Sequence, residues 1–347
     1  MRRWRRLGAI LTLALAGWTG QAGAMDTTRP IVIAHRGASG LRPEHTLASY
    51  ALAIEQGADF IEPDLVPTRD NVLVARHENN IADTTDVADH PEFADRRTSK
   101  TIDGVTATGW FTEDFTLAEL KTLRARERLP QLRPDNAAYD GLFEIPTFAE
   151  VIALARGHNV GVYPETKHPT YFASIGHPTD ALVLADLTAA GWNSADAPVF
   201  IQSFEIDNLK RLHTQTRVRL IQLIDADGAP ADGAAPSYAA MATPEGLRAI
   251  AEYAHGIGPN KDMIRKGDAV PSRLVADAHA AGLKVHPWTF RAENFFLPAS
   301  LRHGIDPRAH GDIQQAIARV LELGVDGFFT DFPLDGVQAR DRFIAGR

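Results

Sequence analysis

The chain has 347 residues, of which 44% are hydrophobic and 23% charged, and its formal net charge is -8 at pH 7. A chain this acidic has no general electrostatic attraction for nucleic acid, so a nucleic-acid partner is not expected. The absence of cysteine excludes disulfides and thiolate metal sites. A chain of this length can bury enough apolar surface to be stable without them.

Residues 1–24 have the three parts of a secretory signal peptide. Four arginines come first, an apolar run extends from Leu7 to about Trp18, and Ala22-Gly23-Ala24 forms a small-residue cleavage site. A membrane anchor is the alternative, but the run is shorter than the roughly 20 residues that span a bilayer. We therefore expect export, no stable membrane insertion, and a mature domain of residues 25–347. Removal of the four arginines lowers its net charge from -8 to -12.

The first strand of the mature chain ends in polar residues. Ile31 to Ala34 is a short apolar, β-branched run that stops at His35 and Arg36, as a buried strand leading into a loop does. After the loop, apolar residues recur at helical spacing from Leu47 until Gly57. The pattern predicts a strand, a loop and a helix, with both polar side chains where the strand ends.

The segment from Ala58 to Val66 predicts a second strand that carries two carboxylates. Side chains alternate between the two faces of a strand, so Glu62 and Asp64 point to the same side. Two carboxylates that close repel each other unless one is protonated or a cation lies between them. We favour the cation.

A third strand from Val72 to Arg76 ends in His77. Only seven residues separate Asp64 from Val72, whereas a parallel crossover needs about a dozen or more. This strand is therefore expected to run antiparallel to the second one. It would bring His77 back toward the carboxylates.

Four motifs in this order resemble the glycerophosphodiester phosphodiesterase family: HRGASG, PEHT, E-x-D and RHE. The likeness extends from about Ile31 to Pro333 and is greatest to the periplasmic branch found in Gram-negative bacteria. It implies a metal-dependent TIM barrel that acts in the periplasm. His45, where many members have Asn, and Glu78, where most have Asp, depart from the family pattern and put the fine orientation of the site in question.

The rest of the chain alternates predicted strands and helices. Apart from the hairpin strand at Val72, eight parallel strands are predicted to start at Ile31, Asp59, Val160, Val199, Arg219, Gly256, Lys284 and Gly327. Eight strands separated by helices predict a (β/α)8 TIM barrel, in which catalytic residues lie at the C-terminal ends of the strands. An open doubly wound sheet is the alternative, but no Gly-x-Gly-x-x-Gly turn follows the first strand.

Residues 79–139 are predicted to form an insertion over the barrel mouth, after the hairpin strand. The segment is polar, and Thr116 with Glu119 forms a capping box at the start of a short helix. A disordered linker is the alternative. Trp110, Phe111 and Phe115 argue against it, because aromatic side chains favour a packed structure.

Glu165 follows a later strand and adds a third carboxylate to Glu62 and Asp64. Hard oxygen ligands without cysteine suit Ca2+ or Mg2+ rather than Zn2+. Taken singly, each carboxylate could instead pair with Arg36 or Lys167, but three that converge at one barrel mouth favour a metal. The resemblance implies the same three ligands, and the preference for Ca2+ over Mg2+ rests on the periplasmic branch alone.

His35 and His77 are the predicted acid and base, because each follows an apolar strand that leads to the carboxylates. An imidazole can accept a proton from the nucleophile and return one to the leaving group. The resemblance implies the same pair. It stays open which of them is the base and whether water or a substrate hydroxyl is the nucleophile. Arg36 and Lys167 are expected to bind the phosphate, with Trp288 as a weaker candidate for a substrate contact.

The expected function is hydrolysis of glycerophosphodiesters such as glycerophosphocholine or glycerophosphoethanolamine to sn-glycerol 3-phosphate and an alcohol. One alternative is a phospholipase D-like or phosphoinositide lipase, which would need an apolar, membrane-binding rim. Another is a periplasmic phosphodiester-binding protein, which would not need two histidines at strand ends. The expected partner is a small-molecule substrate, and the sequence leaves open whether two copies form a homodimer.

Overall fold

Parallel strands form a closed ring in the computed structural model, which describes residues 29–347. The strands are β1 (Ile31–His35), β2 (Phe60–Glu62), β3 (Asp64–Pro67), β4 (Leu73–Ala75), β5 (Thr98–Ile102), β6 (Val105–Gly109), β7 (Gly161–Val162), β8 (Glu165–Thr166), β9 (Phe200–Ser203), β10 (Arg219–Ile224), β11 (Gly256–Pro259), β12 (Lys284–Val285) and β13 (Gly327–Thr330). The signal peptide that the sequence predicts lies outside the described residues.

The α-helices are α1 (Leu47–Glu55), α2 (Leu117–Leu120), α3 (Pro134–Ala137), α4 (Phe148–Gly157), α5 (Pro169–Ser174), α6 (Thr179–Ala189), α7 (Ile206–Gln215), α8 (Tyr238–Met241), α9 (Pro244–Ile250), α10 (Lys261–Ile264), α11 (Leu274–Ala280), α12 (Ile313–Leu321) and α13 (Pro333–Ala345). Short 3-10 helices cover Val87–Asp89, Pro91–Arg96, Thr112–Asp114, Asn294–Phe296 and Ala299–Leu301. No helix within residues 29–347 has both the length and the apolar character needed to cross a membrane.

The ring has eight strand positions, all parallel. β1 pairs with β13 on one side and with β2 on the other, β2 continues as β3 and β7 as β8, and the order then runs through β9, β10, β11 and β12. Backbone hydrogen bonds of 3.0 Å from Asp326 N to Val285 O and from Phe329 N to Pro287 O close the ring between β12 and β13. The predicted TIM barrel is confirmed, and each predicted strand start lies within one residue of the observed one.

The predicted second strand is wrong in one respect, because Pro63 divides it into β2 and β3. Pro164 divides β7 from β8 in the same way. Proline has no backbone N–H and cannot donate to the ladder of hydrogen bonds, so a strand is interrupted where it stands. The predicted antiparallel return of the next strand is confirmed, since β4 pairs with β3 through Leu65 and Ala75.

The core has two layers, because alternate residues of each strand face opposite sides of the ring. The inward-facing layer consists of Ile33, Phe60, Tyr163, Phe200, Ile221 and Phe329. Their neighbours in the chain, such as Val32, Ile61 and Ile201, face outward and pack in the larger cluster against the helices. The inward layer fills the barrel, which is therefore a packed core rather than a channel.

The segment of residues 79–139 is folded, and the alternative of a disordered linker is wrong. β5 and β6 form an antiparallel hairpin, and α2 begins with the predicted capping box between Thr116 and Glu119. Trp110, Phe115 and Leu120 are buried in an apolar cluster with residues of β3 and β4. The segment is thus anchored on the hairpin that carries His77.

Candidate active site

The polar residues at the C-terminal end of the ring continue the inward-facing rows of the barrel core. A polar side chain lies two positions after an interior residue on five strand positions: His35 after Ile33, Glu62 after Phe60, Glu165 after Tyr163, Gln202 after Phe200 and Asp331 after Phe329. Residues two apart along a strand share a face, so these side chains point into the same mouth. Strand pairing places His35 beside Glu62, and Glu165 between Asp64 and Gln202.

Three carboxylates meet in this layer. One oxygen each from Glu62, Asp64 and Glu165 lies within 4.8 Å of the others, and all three side chains are buried. Gln202 Nε2 donates to Glu62 Oε1 at 3.1 Å, and His45 Nε2 lies 2.9 Å from Asp64 Oδ2. The structure thus brings together the three predicted ligands, and it gives His45 the role of orienting one of them.

The three carboxylates carry their charge unequally. Burial, followed by the charge of Asp64, raises the pKa of Glu62 well above its ordinary value. Burial raises the pKa of Glu165 to about 8, although Lys167 opposes the shift. Asp64 is also buried, but the hydrogen bond with His45 and the charge of Arg36 hold its pKa well below the ordinary value. Three buried oxygen donors that repel one another fit a hard divalent cation such as Ca2+ or Mg2+.

Arg36 lies in a tight turn that aims both its backbone and its side chain at the carboxylates. Its φ of 61° is left-handed, which is unusual for a residue with a side chain. In this conformation the backbone N–H of Arg36 donates to Glu62 Oε2 at 2.8 Å, and its guanidinium Nε lies 3.3 Å from Asp64 Oδ2. The next residue, Gly37, has a φ of +87°, and a Cβ there would be 2.4 Å from Ser49 Oγ. The turn therefore requires glycine after Arg36.

Lys167 contacts a carboxylate of the cluster directly, whereas Trp288 packs on Phe204 beside it. Lys167 Nζ lies 3.1 Å from Glu165 Oε1 and 6.0 Å from the centroid of the Phe204 ring. The Trp288 ring packs edge-to-face on Phe204, with ring centroids 5.8 Å apart. Its Nε1 donates to Gly258 O at 2.7 Å. Lys167 therefore belongs to the charged layer, whereas the contacts of Trp288 connect it to that layer through Phe204.

His77 reaches the site because β4 returns beside β3. The backbone N–H of Arg76 donates to Asp64 O at 3.0 Å, which places the following residue next to the carboxylates. Burial and the positive charges of Arg36 and Lys167 lower the pKa of His77 well below its ordinary value. The imidazole is therefore neutral at neutral pH and can accept a proton.

His35 is held by a buried carboxylate at the end of β13. His35 Nδ1 lies 2.6 Å from Asp331 Oδ1. The other oxygen of Asp331 accepts from Arg133 Nη2 at 2.7 Å and from Arg291 Nε at 2.8 Å. Burial and the charge of Arg36 lower the pKa of His35 to about 4. The carboxylate therefore fixes the ring orientation of a neutral imidazole whose Nε2 remains available for proton transfer.

The sequence analysis missed Asp331, Arg133, Arg291, Gln202 and Glu44. Glu44 accepts from Arg36 Nη1 at 3.0 Å and so fixes the guanidinium. Asp331 directly follows β13 and Gln202 is the penultimate residue of β9, so the same strand-end criterion that selects His35 would have found them. Nothing local in the sequence marks Arg133, because it lies 198 residues from Asp331.

Arg133 is expected to contribute more to stability than a surface arginine of the same segment. Its buried guanidinium pairs with Glu293 at 2.6 Å and with Asp331 at 2.7 Å. Arg133→Met would leave buried carboxylate charge without this partner, at an expected cost of about 3 to 5 kcal/mol in the free energy of unfolding. Arg126→Met is the control, because Arg126 pairs with Asp89 at the surface and should cost about 1 kcal/mol or less. Urea unfolding measures both, and equal losses would contradict the structural role.

His168 connects the end of the β3–β4 hairpin to the β5–β6 hairpin of the insertion. Its Nε2 lies 2.9 Å from Glu78 Oε2 and its Nδ1 lies 2.5 Å from Asp103 Oδ2. Burial and the charge of Lys167 disfavour the imidazolium, but the two hydrogen bonds outweigh them and raise the pKa of His168 to about 9. A charged imidazolium between two carboxylates therefore joins β4 to the β5–β6 hairpin at neutral pH.

The contribution of His168 to stability is expected to disappear as the pH rises. Because the folded pKa is above the unfolded value, this contribution is complete below about pH 6.5 and is lost as the pH passes through the folded pKa. We expect His168→Asn, which tolerates the left-handed φ of this residue, to lose on the order of 3 kcal/mol at pH 6 and little at pH 9.5. Urea unfolding across this range measures the difference, and a loss independent of pH would contradict it.

The sequence profile of the glycerophosphoryl diester phosphodiesterase family matches residues 35–335. The chain is 39% identical over 326 residues to a glycerophosphodiester phosphodiesterase of Arabidopsis thaliana, with 89% of this chain and 85% of that protein covered. It is 30% identical over 371 residues to the glycerophosphodiester phosphodiesterase of Haemophilus influenzae, with 96% of each covered. A phosphodiesterase of Oleispira antarctica, solved with the product sn-glycerol-3-phosphate, has the same fold, with a TM-score of 0.62, 22% identity, and 90% of this chain and 97% of that chain covered. The chain therefore belongs to the glycerophosphoryl diester phosphodiesterase family.

Proposed function

We propose that the protein hydrolyses water-soluble glycerophosphodiesters in the periplasm, with a divalent cation at Glu62, Asp64 and Glu165 and with His35 and His77 as its proton-transfer pair. Family membership makes it a glycerophosphodiester phosphodiesterase. The observation that carries the finer proposal is the convergence of three carboxylate oxygens within 4.8 Å at the barrel mouth. His35 and His77, together with the basic side chains of Arg36 and Lys167, lie around this cluster.

We propose Ca2+ as the cation from the resemblance to the periplasmic branch, and Mg2+ is the alternative. Both cations prefer oxygen ligands, but Mg2+ demands a more regular octahedral site and usually retains several waters. When bound, such a cation supplies positive charge that stabilises a phosphoryl group during its transfer. Arg36 and Lys167 contact the carboxylate cluster directly, and we assign to them the non-bridging oxygens of the phosphate.

Proton transfer is assigned to the neutral imidazoles of His35 and His77. With water as the nucleophile, one accepts its proton and the other returns a proton to the departing alcohol. If the neighbouring glycerol hydroxyl attacks instead, the alcohol leaves first and water then opens the cyclic phosphodiester, with the two roles exchanged. The Asp331 carboxylate, 2.6 Å from His35 Nδ1, supports a positive charge on that ring when it forms. Within residues 29–347, His77 has no equivalent buried partner, since Glu78, at 3.1 Å, is nearly half exposed. This asymmetry favours His35 as the residue that is charged for longer during the cycle.

The substrates we propose are glycerophosphocholine and glycerophosphoethanolamine, with sn-glycerol 3-phosphate as the common product. The relative from Oleispira antarctica was solved with that product, which supports a barrel mouth suited to a glycerol phosphate. Export to the periplasm rests on the signal-peptide pattern of residues 1–24. Amino-terminal sequencing of the periplasmic fraction should find a mature chain that begins at Met25.

Choline release tests the proposal directly. Purified protein with glycerophosphocholine and Ca2+ is expected to release choline and sn-glycerol 3-phosphate in equal amounts, and EDTA should stop the reaction until Ca2+ is added back. Recovery of intact substrate after long incubation would favour a binding protein. Co-sedimentation with phospholipid vesicles and hydrolysis of the intact lipid would favour a lipase.

A further inference from the structure

A cavity of about 320 Å³ lies outside the carboxylate layer, between the segment after β11, the segment after β12, and α12. This volume is at the lower end of the roughly 300 to 1,000 Å³ of small-molecule sites. One acidic side chain, Asp262, and six basic ones line it: Lys261, Arg265, Lys266, Arg291, Arg302 and Arg319. Such an excess of positive charge is unexpected in a chain whose net charge is -8.

Three of the six basic residues have carboxylate partners. Lys261 Nζ lies 3.2 Å from Asp262, and Arg319 Nη1 lies 2.9 Å from Asp268. Arg291 pairs with Asp331 at 2.8 Å, so the same guanidinium contributes to the cavity wall and to the carboxylate that holds His35. The net positive charge of the cavity therefore comes from the other three basic residues.

Arg265, Lys266 and Arg302 form no ion pair with any carboxylate of residues 29–347. Arg302 Nε donates to the backbone oxygen of Leu297 at 2.8 Å. Arg265 Nε is buried and has no hydrogen-bond partner among the described residues. The charges of Arg265, Lys266 and Arg302 are therefore available to an anionic ligand in the cavity.

The remaining wall of the cavity is apolar. Phe295 lines it, and 61% of the Phe295 surface is exposed. The Arg291 guanidinium lies 4.7 Å from the centroid of the Phe296 ring. Leu301 and Val320 complete this side. A ligand that fills the cavity must therefore combine an anionic group with an apolar or ring-shaped part.

We propose that this cavity is a second binding site, for a small organophosphate that carries a phosphomonoester on an apolar or ring-shaped body. Two arginines and a lysine without carboxylate partners suit a dianionic phosphate, since the planar guanidinium binds phosphate oxygens in pairs. The ring of the ligand packs against Phe295 and its neighbours. The site is separate from Glu62, Asp64 and Glu165, with Arg291 on the wall between them.

Calorimetric titration with phenyl phosphate tests this site. The purified full chain is titrated in EDTA, so that no cation at the catalytic carboxylates attracts a phosphate. One phenyl phosphate per chain is expected to bind, and inorganic phosphate at least tenfold more weakly, because it leaves the apolar wall uncovered. Absence of saturable binding, or equal affinity for the two probes, would overturn the proposal. So would co-sedimentation with phosphatidic acid vesicles without binding of phenyl phosphate, which would assign the cavity to a membrane surface.

Substitutions locate the binding site. The double variant Arg265→Gln and Arg302→Gln is expected to weaken phenyl phosphate binding at least tenfold with unchanged hydrolysis of glycerophosphocholine. Arg308→Gln is the matched control, because Arg308 is an exposed arginine of the same segment that pairs with Asp306 and does not line the cavity. If the double variant unfolds, Lys266→Glu at the exposed rim provides the same test by charge reversal. Unchanged affinity in folded cavity variants, or an equal loss in Arg308→Gln, would overturn the assignment.

Discussion

Replacing His35 with alanine is expected to lower kcat for glycerophosphocholine by about 10² to 10⁴-fold, the usual contribution of a positioned acid or base. The imidazole is neutral because burial and Arg36 lower its pKa to about 4, and Asp331 holds it from the Nδ1 side. Removing the ring takes away the proton-transfer group but leaves the carboxylates, Arg36 and Lys167 in place. The loss should therefore be found in kcat, with a much smaller change in KM.

His158→Ala is the matched control for this substitution. His158 is an exposed residue at the end of α4, so its loss should leave kcat unchanged. Thermal unfolding of both variants shows whether either change affects the fold. An H35A variant that keeps more than a tenth of the wild-type kcat, with a normal unfolding temperature, would remove His35 from the proton-transfer pair.

The barrel could be predicted from sequence because its signals are local. Most barrel strands contain a short apolar run that leads to a polar residue or a turn, so their positions follow from the local order of residues. The same regularity gave most of the site. His35 continues the inward row of Ile33, and Glu62 continues that of Phe60. Two-residue periodicity thus connects the packed interior to the reactive layer above it.

Interactions between distant segments could not be predicted in this way. The division of the second strand at Pro63 is a local effect that the periodicity argument ignored. By contrast, the buried pair of Arg133 with Glu293 joins positions 160 residues apart, and neither residue stands at the end of a predicted strand. The insertion reaches the His35–Asp331 pair through this arginine, so it supports the site.

The three carboxylates lie close enough to bind one cation together, and without a cation they repel one another. Glu62, Asp64 and Glu165 are buried with oxygens within 4.8 Å, and their mutual repulsion adds to the cost of burying each charge. Arg36 and Lys167 compensate part of this charge. A cation that binds only the folded chain would remove the remainder and stabilise the fold by about 2.7 kcal/mol at a concentration 100 times its Kd.

Ca2+ is expected to raise the unfolding temperature of the wild type, and Glu62→Gln is expected to abolish both this rise and choline release. In EDTA the variant should lose no more than about 1 to 3 kcal/mol, the cost of one unsatisfied buried polar group. Burial and Asp64 already raise the pKa of Glu62, so little charge is lost, but the amide NH2 faces one of the two N–H donors, Arg36 N or Gln202 Nε2.

Glu205→Gln is the matched control for this substitution, since Glu205 is a buried carboxylate that accepts from Thr170 instead of joining the cluster. It should retain the full response to Ca2+. Differential scanning calorimetry with and without Ca2+ measures all three proteins. A Ca2+ response that persists in E62Q, or a loss of stability in EDTA as large as that of a broken buried ion pair, would show that Glu62 serves the fold rather than a cation.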